Sequence, residues 1–173
     1  MTVSKRIFLI WWGGGLVVFA IALWLHAPLS TGLVKDGILA HQSAATAENV
    51  DLIQHSWRME GLWNQAAIAM IADLIFIGIY GVGCVLAGLY YRANSQSALR
   101  ILGWIVLVAG IIFLITDYGE TIAQFIQLMR FAGDDRLAAI AASLQPIKIA
   151  AWIGTFLPII AALIVELFST SDA

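Results

Sequence analysis

Four long apolar runs constrain the fold of this chain more than any other feature of its sequence. They cover, approximately, residues 7–26, 67–91, 101–121 and 149–168. Each run has roughly the 20 residues that a helix needs to cross the hydrocarbon core of a bilayer. Only helices and closed barrels satisfy every backbone hydrogen bond in lipid, and the runs lack strand-like alternation. The sequence therefore predicts an all-α transmembrane four-helix bundle.

The composition excludes an ordinary soluble domain. Hydrophobic residues make up 61% of the 173 residues and charged residues 12%, whereas soluble domains are nearer half apolar and a quarter charged. The net charge of −2 comes without a basic block, which argues against a nucleic-acid partner. We expect a single integral membrane domain over residues 1–173 whose partner is the lipid bilayer. Its small-residue helix faces allow a homo-oligomer or a larger membrane complex.

Two connecting segments have helical patterns of their own. Within residues 27–66, apolar and polar residues occupy opposite faces of a helix: Val50, Ile53 and Trp57 against Asp51, His55 and Arg58. This predicts an extracytoplasmic amphipathic helical segment between spans 1 and 2, lying over the bundle mouth. Residues 134–145 show apolar helical spacing and precede Pro146, which predicts a short interfacial helix between spans 3 and 4.

Ionisable side chains within the spans indicate a polar site. Asp117 and Glu120 share one face of the third span, and Asp73 lies on a small-residue face of the second. Charges inside a bilayer are costly and mark functional positions, so we expect these faces to converge. The candidate ligand- or ion-binding residues are Asp73, Tyr80, Asp117, Glu120, Gln124 and Lys148 of the spans, with His55 and Arg58 of the overlying segment.

Three carboxyl groups and one lysine leave two negative charges without a counter-charge. We expect Arg58 or Arg130 to supply it, unless an acid is protonated or a cation or basic ligand is bound. The structural alternative is that Asp73 hydrogen-bonds Tyr80 or Lys148 and joins two helices. At the opposite end, Glu166 is expected to pair with Arg92 or Arg100.

No cofactor is predicted, although a bound cation remains an alternative. The candidate metal ligands are Asp73, Asp117, Glu120, His41 and His55. We place no histidine within a span, so the axial ligands of a membrane haem are missing. Cys84 is the only cysteine, which excludes an internal disulfide.

Three sequence stretches resemble segments of uncharacterised four-span bacterial inner-membrane proteins. They are "GILAHQSAATAENVDLIQ", "ADLIFIGIYG" and "DYGETIAQ", within residues 37–127. The resemblance implies a bacterial cytoplasmic membrane and no particular chemistry. Lys and Arg are denser in the segments on the N-terminal side of the membrane, which favours cytoplasmic N- and C-termini.

Three functions are compatible with these features. The first is an accessory or ligand-binding bundle with a buried carboxylate cluster near its extracytoplasmic face. The second is a membrane-embedded, metal-assisted hydrolase acting on a lipid-like substrate. Since no Ser–His or Cys–His pairing is visible, the sequence does not decide whether the protein is an enzyme. The third is a proton- or cation-coupled transport subunit.

Overall fold

The computed structural model describes residues 3–171, which form helices joined by turns and short loops. Four helices are long and apolar enough to cross a membrane, so the predicted all-α, multi-pass membrane bundle is confirmed. The helices are α1 (Lys5–His26), α2 (Ile38–Gln42), α3 (Ala47–Met59), α4 (Trp63–Arg92), α5 (Ser97–Arg130) and α6 (Asp135–Ser171), with a 3-10 turn at Ala27–Leu29.

The long helices pack in sequence around the bundle. Helix α1 lies along α4, α4 along α5, and α5 along α6. Helices α1 and α6 instead meet mainly through aromatic side chains, with ring centroids 5.9 Å apart for Phe19 and Trp152 and 6.0 Å apart for Trp12 and Phe156. The α1–α6 side is therefore the least tightly packed seam of the bundle.

Glycines let α1 and α4 approach closely. A Cβ on Gly15 would lie 2.5 Å from the Tyr80 backbone, and one on Gly83 would lie 2.5 Å from the Trp12 backbone. Small residues permit this contact between membrane helices because no side chain separates the two backbones. In the triplet at residues 13–15, only Gly15 is in such contact; Gly13 has no such neighbour within 4 Å.

Residues 27–62 form a cap over one end of the bundle. In α3, Val50 and Trp57 are buried, whereas Asp51, His55 and Arg58 are exposed, as the predicted two-faced helix requires. Trp57 Nε1 donates a hydrogen bond to the Leu29 carbonyl at 2.9 Å and so anchors α3 to the end of α1. The side of the membrane on which the cap lies stays a prediction.

The cap is also tied to the turn between α5 and α6. Gly133 N donates to Asp51 Oδ1 at 2.6 Å, and Ala47 N donates to Asp135 Oδ1 at 2.8 Å. These reciprocal bonds join the start of α3 to the start of α6. Asp135 also lies in the first turn of α6, where its negative charge interacts favourably with the helix dipole.

The boundary predicted between the interfacial helix and the fourth span is wrong. Residues 134–145 are helical almost throughout, but they form the first turns of α6, which continues through Pro146 and Pro158. Proline removes one helical hydrogen bond, yet packed neighbours can maintain a membrane helix across it. Helix α5 likewise extends to Arg130, nine residues beyond the predicted end of its span.

Candidate functional site

Ionisable side chains from all four long helices meet near the cap end of the bundle. Helix α1 contributes His26, α4 contributes Asp73, α5 contributes Asp117 and Glu120, and α6 contributes Lys148. The polar face that periodicity predicts on α5 points inward along its length. Its members are all buried: Asp117, Glu120, Thr121, Gln124 and Gln127.

Lys148 joins the two acids of α5. Its Nζ donates to Asp117 Oδ1 at 3.1 Å and to Glu120 Oε1 at 2.8 Å. The side chains of Lys148, Asp117 and Glu120 are 14%, 7% and 0% exposed, so their charges are largely withdrawn from solvent. Buried ion pairs of this kind require short, direct contacts to offset the desolvation of the charged groups.

The predicted role of Arg58 and Arg130 is wrong. Both side chains are exposed, and the Arg58 guanidinium lies 4.9 Å from the centre of the Phe131 ring. Stacking over an aromatic ring leaves a guanidinium in contact with water, at lower cost than burial beside the acids. Lys148 is close enough to reach the acids because α6 packs along α5.

His26 is a site residue that the sequence pattern does not indicate. Its Nε2 lies 2.6 Å from Asp73 Oδ2, so the expectation that no histidine belongs to a span does not hold. The two structural partners predicted for Asp73 bind elsewhere. Tyr80 pairs with Thr155 at 2.9 Å, and Lys148 donates to Asp117 and Glu120. The position of His26 in the sequence could have indicated this role. It ends an apolar run two residues before Pro28, where a polar side chain can turn back into the bundle.

Gln124 extends the site along α5. Its Nε2 donates to Glu120 Oε1 at 3.3 Å, on the same carboxyl oxygen that accepts from Lys148. The other oxygen, Glu120 Oε2, is buried and has no hydrogen-bond partner among the described residues. A lone buried carboxyl oxygen is unusual, because buried polar atoms normally find a partner.

A cavity of about 260 Å³ lies beside this polar group. Its wall combines a small set of polar side chains with a larger apolar set drawn from α1, α2, α4, α5 and α6. The polar residues are His26, Gln42, Asp73, Asp117 and Lys148; the apolar residues are Phe19, Leu23, Ile38, Leu39, Phe76, Phe113, Ile149 and Trp152. Asp73 of α4 and Asp117 of α5 thus line the same cavity, whereas Glu120 does not. The convergence of all three acids on one site stays a prediction.

His41 and His55 lie away from the cavity. His41 is buried in the cap, where its ring lies 5.3 Å from that of Trp57 and its Nε2 lies 3.2 Å from the Gln54 side-chain nitrogen. Burial lowers the pKa of His41 to about 4, which keeps its ring neutral near neutral pH. His55 is exposed on the outer face of α3.

The predicted metal-ligand set is not assembled. Within residues 3–171, no group of three or more His, Cys, Asp or Glu is placed to hold a metal ion. Asp73 and Asp117 of the set line the cavity, whereas Glu120, His41 and His55 do not. Binding of a cation at the acids stays a prediction.

A second polar group occupies the opposite end of the bundle, which we call the Lys5 end. Glu166 pairs with Lys5 Nζ at 2.8 Å and accepts hydrogen bonds from Tyr90 and Tyr91 at 2.8 and 3.2 Å. The sequence predicted Arg92 or Arg100 for this pairing. Lys5 fulfils it because the beginning of α1 and the end of α6 lie side by side here.

Comparison with known proteins identifies no relative: no protein-family model, curated protein or solved structure matches the chain. The resemblance of residues 37–127 to bacterial four-span proteins therefore stays a prediction. The arrangement that bears on function is the cavity, its polar wall and the seam between α1 and α6.

Proposed function

We propose that this protein is a ligand-binding membrane bundle whose cavity takes a small amphipathic molecule. The observation that carries the proposal is the wall of the cavity, in which His26, Asp73, Asp117 and Lys148 stand beside aromatic and aliphatic side chains. Binding sites for small molecules typically combine a mostly apolar surface with a few convergent polar groups. A ligand with a polar head and an apolar body matches both features.

The size of the cavity fits a small ligand or one end of a longer one. Its volume, about 260 Å³, lies just below the range of roughly 300–1,000 Å³ that is usual for sites holding drug-sized molecules. A complete two-chain phospholipid would not fit inside. A polar head with the first carbons of a single apolar chain would.

Two side chains of the wall carry buried nitrogens that lack a partner. His26 Nδ1 and Trp152 Nε1 have no hydrogen-bond partner among the described residues. Leaving such a group unsatisfied costs roughly 1–3 kcal/mol, so a binder that supplies a complementary atom gains affinity. This supports a site that is completed by a bound molecule rather than one closed by the protein alone.

The test is binding of defined single-chain probes to the protein in nanodiscs, counted by native mass spectrometry. Dodecanol, dodecanoate and dodecylamine are added separately. We expect at least one of them to bind saturably at one molecule per chain, and Ile149→Trp to abolish that binding by placing a large ring at the cavity wall. If no probe shows binding that Ile149→Trp removes, the proposal is wrong.

Ile153→Trp is the matched control. Ile149 and Ile153 are one helical turn apart on α6 and are 47% and 45% exposed, but only Ile149 lines the cavity. The two variants therefore add the same ring at similarly exposed positions. Thermal melting of both confirms that they fold before binding is compared.

A proton-coupled transport subunit is the second candidate, because polar contacts occur at three levels of the bundle. Between the cavity and the Lys5 end, Tyr80 and Thr155 form a buried hydrogen bond of 2.9 Å. The three levels could relay a proton if water joins them. Liposomes that contain the protein and a pH-sensitive dye test this. Acidification of the liposome interior that occurs with the wild type and is lost in Tyr80→Phe would favour transport over binding alone.

The proposed orientation in a bacterial inner membrane has both termini in the cytoplasm and the cap outside. The contact between Lys5 and Glu166 fits termini on one side, but which side they face needs labelling. Ser95→Cys at the Lys5 end and Ser43→Cys in the cap are both exposed positions, and the native Cys84 is buried. A membrane-impermeant maleimide should label Ser43→Cys in intact cells and label Ser95→Cys only after lysis.

A further inference from the structure

We infer that the ligand is a membrane-dissolved, single-chain amphiphile with a protonated amine head, which reaches the cavity through the α1–α6 seam. This inference rests on the proposed function and adds the chemical class of the ligand and its route. Two independent features carry it: the apolar rim of the cavity and the charge of its polar wall.

The rim of the cavity is apolar and exposed on the outside of the bundle. Leu23 of α1, Leu39 of α2 and Ile149 of α6 line the cavity and are 55%, 56% and 47% exposed. Leu23 and Ile149 belong to helices that are long and apolar enough to span the membrane, so their outer surfaces face lipid. A mouth bordered by such residues admits a molecule dissolved in the bilayer more readily than one dissolved in water.

The seam can open with little loss of packing. Helices α1 and α6 meet largely through ring contacts, including Phe19 with Trp152, both of which line the cavity. Opening this seam parts ring contacts, whereas opening α1 from α4 would pull apart the closely packed backbones at Gly15 and Gly83. The ligand's chain can therefore extend outward between α1 and α6 while its head stays inside.

The charge of the polar wall selects a cationic head. Asp73 and Asp117 line the cavity, and Glu120, which does not, contacts Lys148 of the wall. Together they supply three carboxyl groups, against the charge of Lys148 and, when protonated, of His26. With the acids ionised, the site carries an excess of one negative charge when His26 is protonated and of two when it is neutral. An ammonium head reduces that excess by one charge, an alcohol leaves it unchanged, and a carboxylate head increases it by one.

Asp73 is the acid best placed to receive the amine. Its side chain is 18% exposed, compared with 7% for Asp117 and 0% for Glu120, and it lines the cavity directly. The hydrogen bond to His26 is made by its Oδ2. An ammonium group bound to the Asp73 carboxylate would form a charge-assisted hydrogen bond, which is roughly twice as strong as a neutral one.

The test compares three probes that share a chain and differ only in the head. Dodecylamine, dodecanol and dodecanoate are competed against one another on the wild-type protein in nanodiscs at neutral pH, with bound probe counted by native mass spectrometry. We expect dodecylamine to bind at least about tenfold more tightly than dodecanol, a difference of about 1.4 kcal/mol, and dodecanoate to bind most weakly. Ile149→Trp should remove binding of all three, whereas Ile153→Trp should not.

Variants of Asp73 locate the preference. We expect Asp73→Asn to reduce the advantage of the amine over the alcohol to about threefold or less, with affinity for dodecanol retained. Asp73→Glu, which keeps the charge, should preserve the advantage. The ranking of probes on the wild-type protein needs no Asp73 variant, so it decides the inference even if one of them fails to fold.

The outcomes separate the two proposals. If dodecanol or dodecanoate binds as tightly as dodecylamine and Ile149→Trp abolishes that binding, the amine class is wrong while the ligand-binding bundle stands. If the amine is preferred but Asp73→Asn leaves the preference unchanged, the assignment of Asp73 is wrong. If Ile149→Trp affects no probe, both proposals fail together.

Discussion

His26 Nε2 and Asp73 Oδ2 lie 2.6 Å apart and join the end of α1 to the interior face of α4. The contact occurs where α1 gives way to the cap, so it couples the position of the cap to the bundle. It also fixes the Asp73 carboxylate at the wall of the cavity. The stability of this pair and the shape of the proposed site are therefore linked.

A double-mutant cycle measures that link. Because each partner is largely buried, His26→Gln and Asp73→Asn should each lower the free energy of unfolding in detergent. The double variant should lose less than the sum of the two, with an interaction energy of about 0.5–3 kcal/mol. Thermal and chemical unfolding followed by circular dichroism give the three values. Strict additivity would show that the contact contributes nothing to stability.

Lys148 should be the most costly charged residue of the site to remove. Lys148→Met leaves the carboxyl groups of Asp117 and Glu120 buried without their cation, and breaking a buried ion pair costs about 3–5 kcal/mol. The triple variant Lys148→Met, Asp117→Asn, Glu120→Gln removes all three charges and should recover most of the loss. Unfolding midpoints of the single and triple variants provide the measurement.

Lys35→Met is the control for that experiment, because Lys35 is exposed in the cap. It removes the same side-chain charge without uncovering a buried acid, so its unfolding midpoint should stay close to that of the wild type. If Lys148→Met is as mild as Lys35→Met, the acids beside Lys148 are not ionised in the folded protein.

The sequence specified the polar face of α5 but not its partners. Asp117, Glu120 and Gln124 repeat at helical spacing in an apolar run, and that spacing alone places them on one buried face. Which cation meets them depends on the register of α6 against α5. A single helix pattern carries no information about that register, so the sequence places Lys148 at the level of the acids without showing which acids it contacts, and it suggests Arg58 or Arg130 for the remaining charge.

The contact of His26 with Asp73 could not be predicted for a related reason. This contact requires α1 to end at a particular height beside α4, and that height is set by packing and by the cap. Pro146 led to the opposite error. A proline in an amphipathic stretch predicts a helix end in water, but α6 packs on α5 and continues through Pro146.

The glycine triplet at residues 13–15 offers a matched pair of substitutions. Alanine normally stabilises a helix interior relative to glycine by roughly 0.5–1 kcal/mol, so Gly13→Ala should be neutral or stabilising because its Cβ meets nothing within 4 Å. Gly15→Ala should be destabilising, since its Cβ would lie 2.5 Å from the Tyr80 backbone and force α1 away from α4. Unfolding midpoints of the two variants in one detergent give the comparison. Equal midpoints would contradict the close approach of the two helices.

Burial of His41 in the cap makes stability depend on pH. Its pKa falls from 6.5 to about 4 on folding, because the buried ring cannot be protonated without losing its hydration. Between these values the unfolded chain binds a proton that the folded chain does not. Folding stability from this group is therefore fully present above pH 6.5 and decreases as the pH falls toward about 4.

The loss should reach about 1.4 kcal/mol per pH unit within that window, and about 3 kcal/mol in total. His41→Gln should flatten the pH dependence by this amount, since glutamine does not titrate and can still hydrogen-bond Gln54. His55→Gln, which changes an exposed histidine of the same cap, should leave the dependence unchanged. The measurement is the free energy of unfolding of the three proteins from pH 7 down to about 4.5. If His41→Gln and the wild type lose stability in parallel as the pH falls, His41 is protonated as readily in the folded protein as in the unfolded chain, and the cap is more open to water than its packing around Trp57 indicates.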